Sequence, residues 1–117
     1  MSDKRILLVE DEPLVSSLVQ HVLISAGYRV HLAPTLSQAW AKLRERSYAL
    51  VIGDWRLPDG DGVALLDAAL HLGAKTLLMS AYLFEMPRGS GRAHSVLMKP
   101  VRPGEMVSAV QRKIGDA

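Results

Sequence analysis

Residues 49–72, ALVIGDWRLPDGDGVALLDAALHL, place an apolar run, an acid, a turn and an amphipathic stretch in immediate succession. Ala49-Leu50-Val51-Ile52 is short and has no polar alternation, the pattern of a strand buried on both faces. Asp54 follows it. Pro58-Asp59-Gly60-Asp61-Gly62 is turn chemistry: proline presets one backbone angle, and glycine and aspartate accept conformations that other residues resist. Val63 to Leu72 then reads as a helix, with Gly73 as its stop. A buried strand feeding a helix is one unit of an alternating chain.

The unit repeats on both sides. Ile6-Leu7-Leu8-Val9 is a second apolar run, ending in Glu10 and Asp11. After Pro13 the spacing predicts a helix with Leu14, Leu18, Val22 and Leu23 on one face, stopped by Gly27. Tyr28 to Leu32 reads as a strand. Thr35 or Ser37 can cap a helix carrying Leu36, Ala39, Trp40 and Leu43. Thr76 to Met79 and Val96-Leu97-Met98 supply two more strands. A last helix is expected from near Pro103 to Ile114.

Strands alternating with helices imply a parallel sheet covered on both sides. Five strands in this length suit a flavodoxin-like three-layer sandwich of order 2-1-3-4-5. One crossover is unusual, because Pro87, Gly89 and Gly91 lie between Ser80 and Val96. Proline costs ~3 kcal/mol and glycine ~1 kcal/mol inside a helix. The fourth helix is therefore expected to be absent or shortened, leaving a loop from Tyr82 to His94 with a single turn around Leu83 to Met86.

Composition narrows the function. With 117 residues, 49% hydrophobic and 22% charged, the chain suits one globular domain over residues 1–117. No apolar run approaches the ~18 residues that span a bilayer. Four apolar residues before Glu10 are too few for a signal peptide. The absence of cysteine excludes disulfides and thiolate metal sites. A cytoplasmic location fits. A net charge of +2 is too small to imply nucleic-acid binding. Arg88, Arg92, Arg102, Arg112 and Lys113 crowd the last third, where solvated surface charge explains them more simply than a contact face.

In such sheets ligands bind beyond the carboxyl ends of the strands. The residues there are Glu10 and Asp11, Asp54, Ser80 and Lys99. Carboxylates ~5 Å apart repel by roughly 3 kcal/mol per pair at an effective dielectric of ~20. Lys99 offsets one charge. A hard divalent ion such as Mg²⁺, which prefers oxygen ligands, would offset the rest. A carboxylate beside a metal and a lysine is a candidate nucleophile toward phosphorus, with Ser80 and backbone N–H groups placed to bond the phosphoryl oxygens.

Leu8-Val9-Glu10-Asp11-Glu12, Asp54-Trp55-Arg56-Leu57-Pro58 with Gly60 and Gly62, Ser80-Ala81 and Lys99-Pro100 together resemble the receiver family of two-component signalling, across nearly the whole chain. The resemblance implies that Asp54 accepts the phosphoryl group. It implies Asp11 as a direct Mg²⁺ ligand, Glu10 as a close or water-mediated one, and the Arg56 carbonyl as a third. Ser80 would report the phosphoryl group and Lys99 would bridge it to the acids. The Lys99–Pro100 bond is often cis in this family. A histidine kinase or histidine phosphotransferase would be the donor, an unknown downstream protein the target, and hydrolysis the reset. The chain ends just after its last helix, so a stand-alone receiver is expected.

Two rivals follow from departures. The fifth-strand position that usually carries the family's switch aromatic is Val96, three before Lys99, and the fourth helix is in doubt. A receiver-shaped adaptor that binds without phosphorylation would tolerate both. A Mg²⁺-dependent phosphatase would need an acid two residues beyond its nucleophile, where Arg56 stands. Asp59-Gly60-Asp61-Gly62 is not a calcium loop, since Val63 and Ala64 follow. Ser80 lacks a nucleophile elbow. Trp40 is expected in the core, Trp55 beside the site, and His21, His31, His71 and His94 in scattered surface or half-buried places. A further expectation is that the Arg88–Arg92 loop orders on phosphorylation or partner binding.

Overall fold

Five strands lie side by side in a computed structural model of the chain, which describes residues 4–81 and 93–117. In chain order the elements are β1 (Arg5–Val9), α1 (Pro13–Ser25), β2 (Arg29–Ala33), α2 (Leu36–Glu45), β3 (Leu50–Asp54), β4 (Arg56–Leu57), β5 (Gly60–Asp61), α3 (Gly62–His71), β6 (Lys75–Ser80), β7 (Ser95–Met98) and α4 (Pro103–Ile114). The main sheet runs β2-β1-β3-β6-β7, all parallel, which is the expected 2-1-3-4-5 order. The expected loss of a helix between Tyr82 and His94, and the Arg88–Arg92 loop, fall almost wholly outside the described residues.

The two-sided strands explain the layers. Leu7, Val9, Val51 and Leu78 face a core shared with α2 and α3 residues such as Leu43 and Leu66. Ile6, Leu8, Leu50, Ile52 and Leu77 face the opposite core, shared with Leu23 of α1 and Met106 and Val110 of α4. Each fully buried leucine or isoleucine contributes ~2 kcal/mol through its removal from water. That alternation holds the strand ends in one plane.

Three helix starts are secured by side-chain hydrogen bonds. Thr35 Oγ1 accepts the Gln38 N–H at 3.2 Å, so Thr35 rather than Ser37 caps α2. Asp61 Oδ1 accepts the Val63 N–H at 2.7 Å and caps α3, a role Asp54 does not take. Glu105 Oε1 accepts the Arg102 N–H at 3.2 Å at the start of α4.

Three details differ from the sequence reading. The turn at residues 58–62 belongs to a small antiparallel hairpin, β4 with β5. In α1 the buried stripe is Ser16, Val19 and Leu23, while Leu14 is 86% exposed and Leu18 45% exposed. Helical spacing shows that a stripe exists; two overlapping apolar stripes leave open which one faces the sheet. Trp40 packs only partly buried against the core.

Candidate functional site

Glu10 directly follows β1, and its N–H donates to the Ala33 carbonyl at 3.1 Å, so the sheet's bonding continues one residue beyond the strand. Asp54 ends β3 opposite Met79. Ser80 ends β6, and its carbonyl accepts the Lys99 N–H at 3.0 Å, one residue past β7. The register of the parallel sheet thus brings all four chain segments to one edge.

Lys99 is the hub. Its Nζ donates to Asp54 Oδ2 at 2.8 Å and forms an ion pair with Glu10 Oε1 at 2.7 Å. Glu10 is buried, and its Oε2 accepts the Glu12 N–H at 3.1 Å. Burial pushes the Glu10 pKa up and the Asp54 charge adds to this, outweighing Lys99 and the Glu12 N–H. Burial works against the Lys99 ammonium, yet the adjoining Asp54 and Glu10 carboxylates outweigh it and hold its pKa above the ordinary lysine value. The Lys99–Pro100 peptide is cis.

Glu10, Asp11 and Asp54 each bring a carboxylate oxygen within 4.8 Å of the others. At that spacing and an effective dielectric of ~20, each pair of full charges costs about 3 kcal/mol, and Lys99 is one cation against three acids. The donor set is oxygen only, Asp11 is open to solvent, and the buried Glu10 carboxylate lines the same hollow. Those features fit a hard divalent cation.

The acids line a hollow of about 620 Å³ that also takes in Arg56, Lys99 and Ala81. Five of the six predicted site residues therefore meet there: Glu10, Asp11, Asp54, Arg56 and Lys99. Ser80 does not line it. It is fully buried one residue behind Ala81. The exposed Leu14 and Leu18, with Pro100 and Val101, form the apolar wall. Trp55 is buried beside the site, as expected, with the Arg56 guanidinium 4.7 Å from its ring centroid.

The hairpin between Asp54 and α3 is tied to β6 and to the start of α3. The Trp55 N–H donates to the Met79 carbonyl at 3.0 Å, and the Gly62 N–H to the Trp55 carbonyl at 2.8 Å. Asp59, read from sequence only as part of a turn, accepts the N–H groups of Leu36 at 2.8 Å and Ser37 at 3.0 Å. An aspartate after proline does signal a capping group; the helix it caps lies 22 residues back and was not legible.

His94 was also misplaced by the sequence. It is buried, with Nδ1 2.5 Å from Thr76 Oγ1 and Nε2 2.7 Å from Asp67 Oδ1. His31 is half-buried, with Nδ1 2.9 Å from the Tyr48 hydroxyl.

Comparison with known proteins agrees with this geometry. The sequence profile of the response regulator receiver domain matches residues 6–111. The transcriptional regulatory protein AruR of Pseudomonas aeruginosa is 32% identical over 94% of this chain and 49% of its own length. The chain spans between about a fifth and a half of the length of curated relatives such as AruR and the transcriptional regulatory protein ZraR of Escherichia coli O157:H7. A CheY-like receiver domain protein from Methanospirillum hungatei JF-1 is 29% identical, covers 97% of this chain and 94% of its own, and superposes with a TM-score of 0.85. The response regulator TrrA of Thermotoga maritima, described in complex with Mg(2+)-BeF, is 28% identical over 93% of this chain and 97% of its own, with a TM-score of 0.83. With its sheet order, its acidic edge and this match, the chain belongs to the response regulator receiver domain family.

Proposed function

We propose that the chain is a phosphoacceptor that takes a phosphoryl group on Asp54 in the presence of Mg²⁺ and signals through an altered contact surface. The observation that carries this reading is the Lys99 ammonium held between Asp54 and Glu10 with Asp11 alongside. Asp11, Glu10, Asp54 and the backbone carbonyl of Arg56 would hold Mg²⁺. When bound, the metal supplies positive charge to the phosphoryl oxygens.

In the reaction a carboxylate oxygen of Asp54 forms the new bond to phosphorus as the phosphorus–nitrogen bond of a phosphohistidine breaks. The imidazole nitrogen leaves with the electron pair. Lys99, already in contact with Asp54, is placed to follow the charge from the carboxylate to the phosphoryl oxygens. Ser80 can bond the phosphoryl group only if its hydroxyl emerges, since it is fully buried here. That requirement makes Ser80 a reporter of the modified state.

The donor would be a histidine kinase or histidine phosphotransferase. Leu14 and Leu18 provide exposed apolar surface beside the hollow on which such a partner can rest. Turnover of external phosphate esters is not expected, because Arg56 stands where a general acid would be needed. No helix among the described residues is long and apolar enough to cross a membrane, and we place the chain in the cytoplasm.

A second reading, an adaptor that binds without phosphorylation, draws on Val96, which offers no aromatic switch and is 37% exposed. Phosphate-affinity electrophoresis after incubation with acetyl phosphate separates the two. A retarded band that needs Mg²⁺ and disappears with chelator supports the phosphoacceptor. A single unshifted band under both conditions supports the adaptor.

A further inference from the structure

The hairpin β4–β5 has two anchors, and only one is in the sheet. At its far end Asp59 reaches across to α2, which contributes no side chain to the hollow. Oδ1 accepts the Leu36 N–H at 2.8 Å and Oδ2 the Ser37 N–H at 3.0 Å. Thr35 Oγ1 takes the next N–H, that of Gln38, and the Ala39 N–H begins the helix's own ladder on the Thr35 carbonyl. The first turn of a helix leaves N–H groups without internal partners. Here they are shared between a local cap and a carboxylate belonging to another element.

A second contact closes the same joint. Gly60 adopts φ +141°, and a Cβ added there would stand 3.1 Å from Leu36 Cδ1. The hairpin tip therefore rests on the α2 residue whose N–H it binds. At its base the Gly62 N–H closes the hairpin on the Trp55 carbonyl, and the Trp55 N–H, next to Asp54, ties it to Met79 of the sheet. Arg56 lies between these fixed points, paired in register with Asp61.

We propose that Asp59 is a positioning residue: by fastening the hairpin to the start of α2, it holds the Arg56 carbonyl at the distance from Asp54 that the metal requires. The inference rests on the metal reading given above. It assigns α2 a part in the site without any α2 side chain entering the hollow. Groups that orient a metal ligand commonly alter affinity by ~10-fold or more when removed. Coupling of this kind is reciprocal, so the metal must in turn steady the joint.

The test is calorimetric Mg²⁺ titration of the wild type, Asp59→Asn and Asp59→Ala, with amide hydrogen exchange at Leu36 and Ser37 followed with and without Mg²⁺. Asp59→Ala should weaken Mg²⁺ about tenfold. Asp59→Asn, which keeps one carbonyl acceptor, should recover most of that loss, and Mg²⁺ should slow exchange at both amides in the wild type, at one in Asp59→Asn and at neither in Asp59→Ala. Equal weakening in the two variants would mean that only the lost charge matters, and would overturn the proposal. Unchanged affinity in Asp59→Ala would overturn it too, while leaving the metal reading intact. A wild type that takes up no Mg²⁺ would defeat the metal reading and this inference with it.

Discussion

The Asp54 carbonyl occupies the space where a side chain on Gly62 would begin: a Cβ added at Gly62 would stand 2.1 Å from that oxygen. Glycine is required here for close approach, since its absent Cβ lets the start of α3 lie against the strand end that bears Asp54.

Gly62→Ala should therefore displace the backbone at Asp54. Overpacking of this kind costs about 1–3 kcal/mol, and here the obstacle is backbone, which relaxes poorly. Urea unfolding should show a loss in that range together with a slower uptake of phosphoryl from acetyl phosphate. A variant as stable and as reactive as the wild type would contradict the account.

Lys99→Ala should destabilise the metal-free protein by about 2–3 kcal/mol, because it leaves Glu10 and Asp54 without their cation. Mg²⁺ should then raise the thermal midpoint of Lys99→Ala by more than it raises that of the wild type, since the metal takes over the missing positive charge. Equal gains in the two proteins would show that lysine and metal do not answer to the same acids.

His31 provides a pH dependence from the middle of β2. Burial, and then the cations Arg46, Lys42, Arg5 and Arg29, lower its pKa from the ordinary 6.5. The folded chain then binds fewer protons than the unfolded one between the lowered value and 6.5. Its contribution is complete above 6.5, declines as pH falls below that, and is lost once pH passes the lowered value. The drop in thermal midpoint between about pH 7.5 and about pH 5.5 should be smaller in His31→Asn than in the wild type. Identical drops would count against it.

His94→Ala should cost about 2 kcal/mol by leaving the buried Thr76 hydroxyl without its partner. Asp67 is half-exposed and can turn to water. Since none of the three lines the hollow, Mg²⁺ affinity should stay at the wild-type value. A large change in affinity would tie this buried group to the site.

How much of this was legible in the sequence depended on range. The strands β1, β3 and β6 were readable because being buried on both faces leaves continuous apolar runs, and their carboxyl ends then had to meet. That reasoning gathered Glu10, Asp11, Asp54 and Lys99 correctly. It could not see that Ser80 is fully buried and that Ala81 lines the hollow in its place, because burial at a strand end depends on packing. Asp59 with Leu36, and His94 with Asp67 and Thr76, join residues far apart in the chain through single hydrogen bonds. Such bonds leave no periodicity. Leu14 and Leu18 failed for another reason: α1 carries apolar residues on more than one face, and packing alone selects Val19 and Leu23.

The central claim is that this acidic edge takes up a phosphoryl group, as an acyl phosphate, at Asp54 and nowhere else. Intact-mass measurement after incubation with acetyl phosphate and Mg²⁺ tests it most directly. The wild type should gain the mass of one phosphoryl group, while Asp54→Ala, treated identically, should gain none. An unmodified wild type, or an Asp54→Ala variant carrying the same added mass, would contradict it.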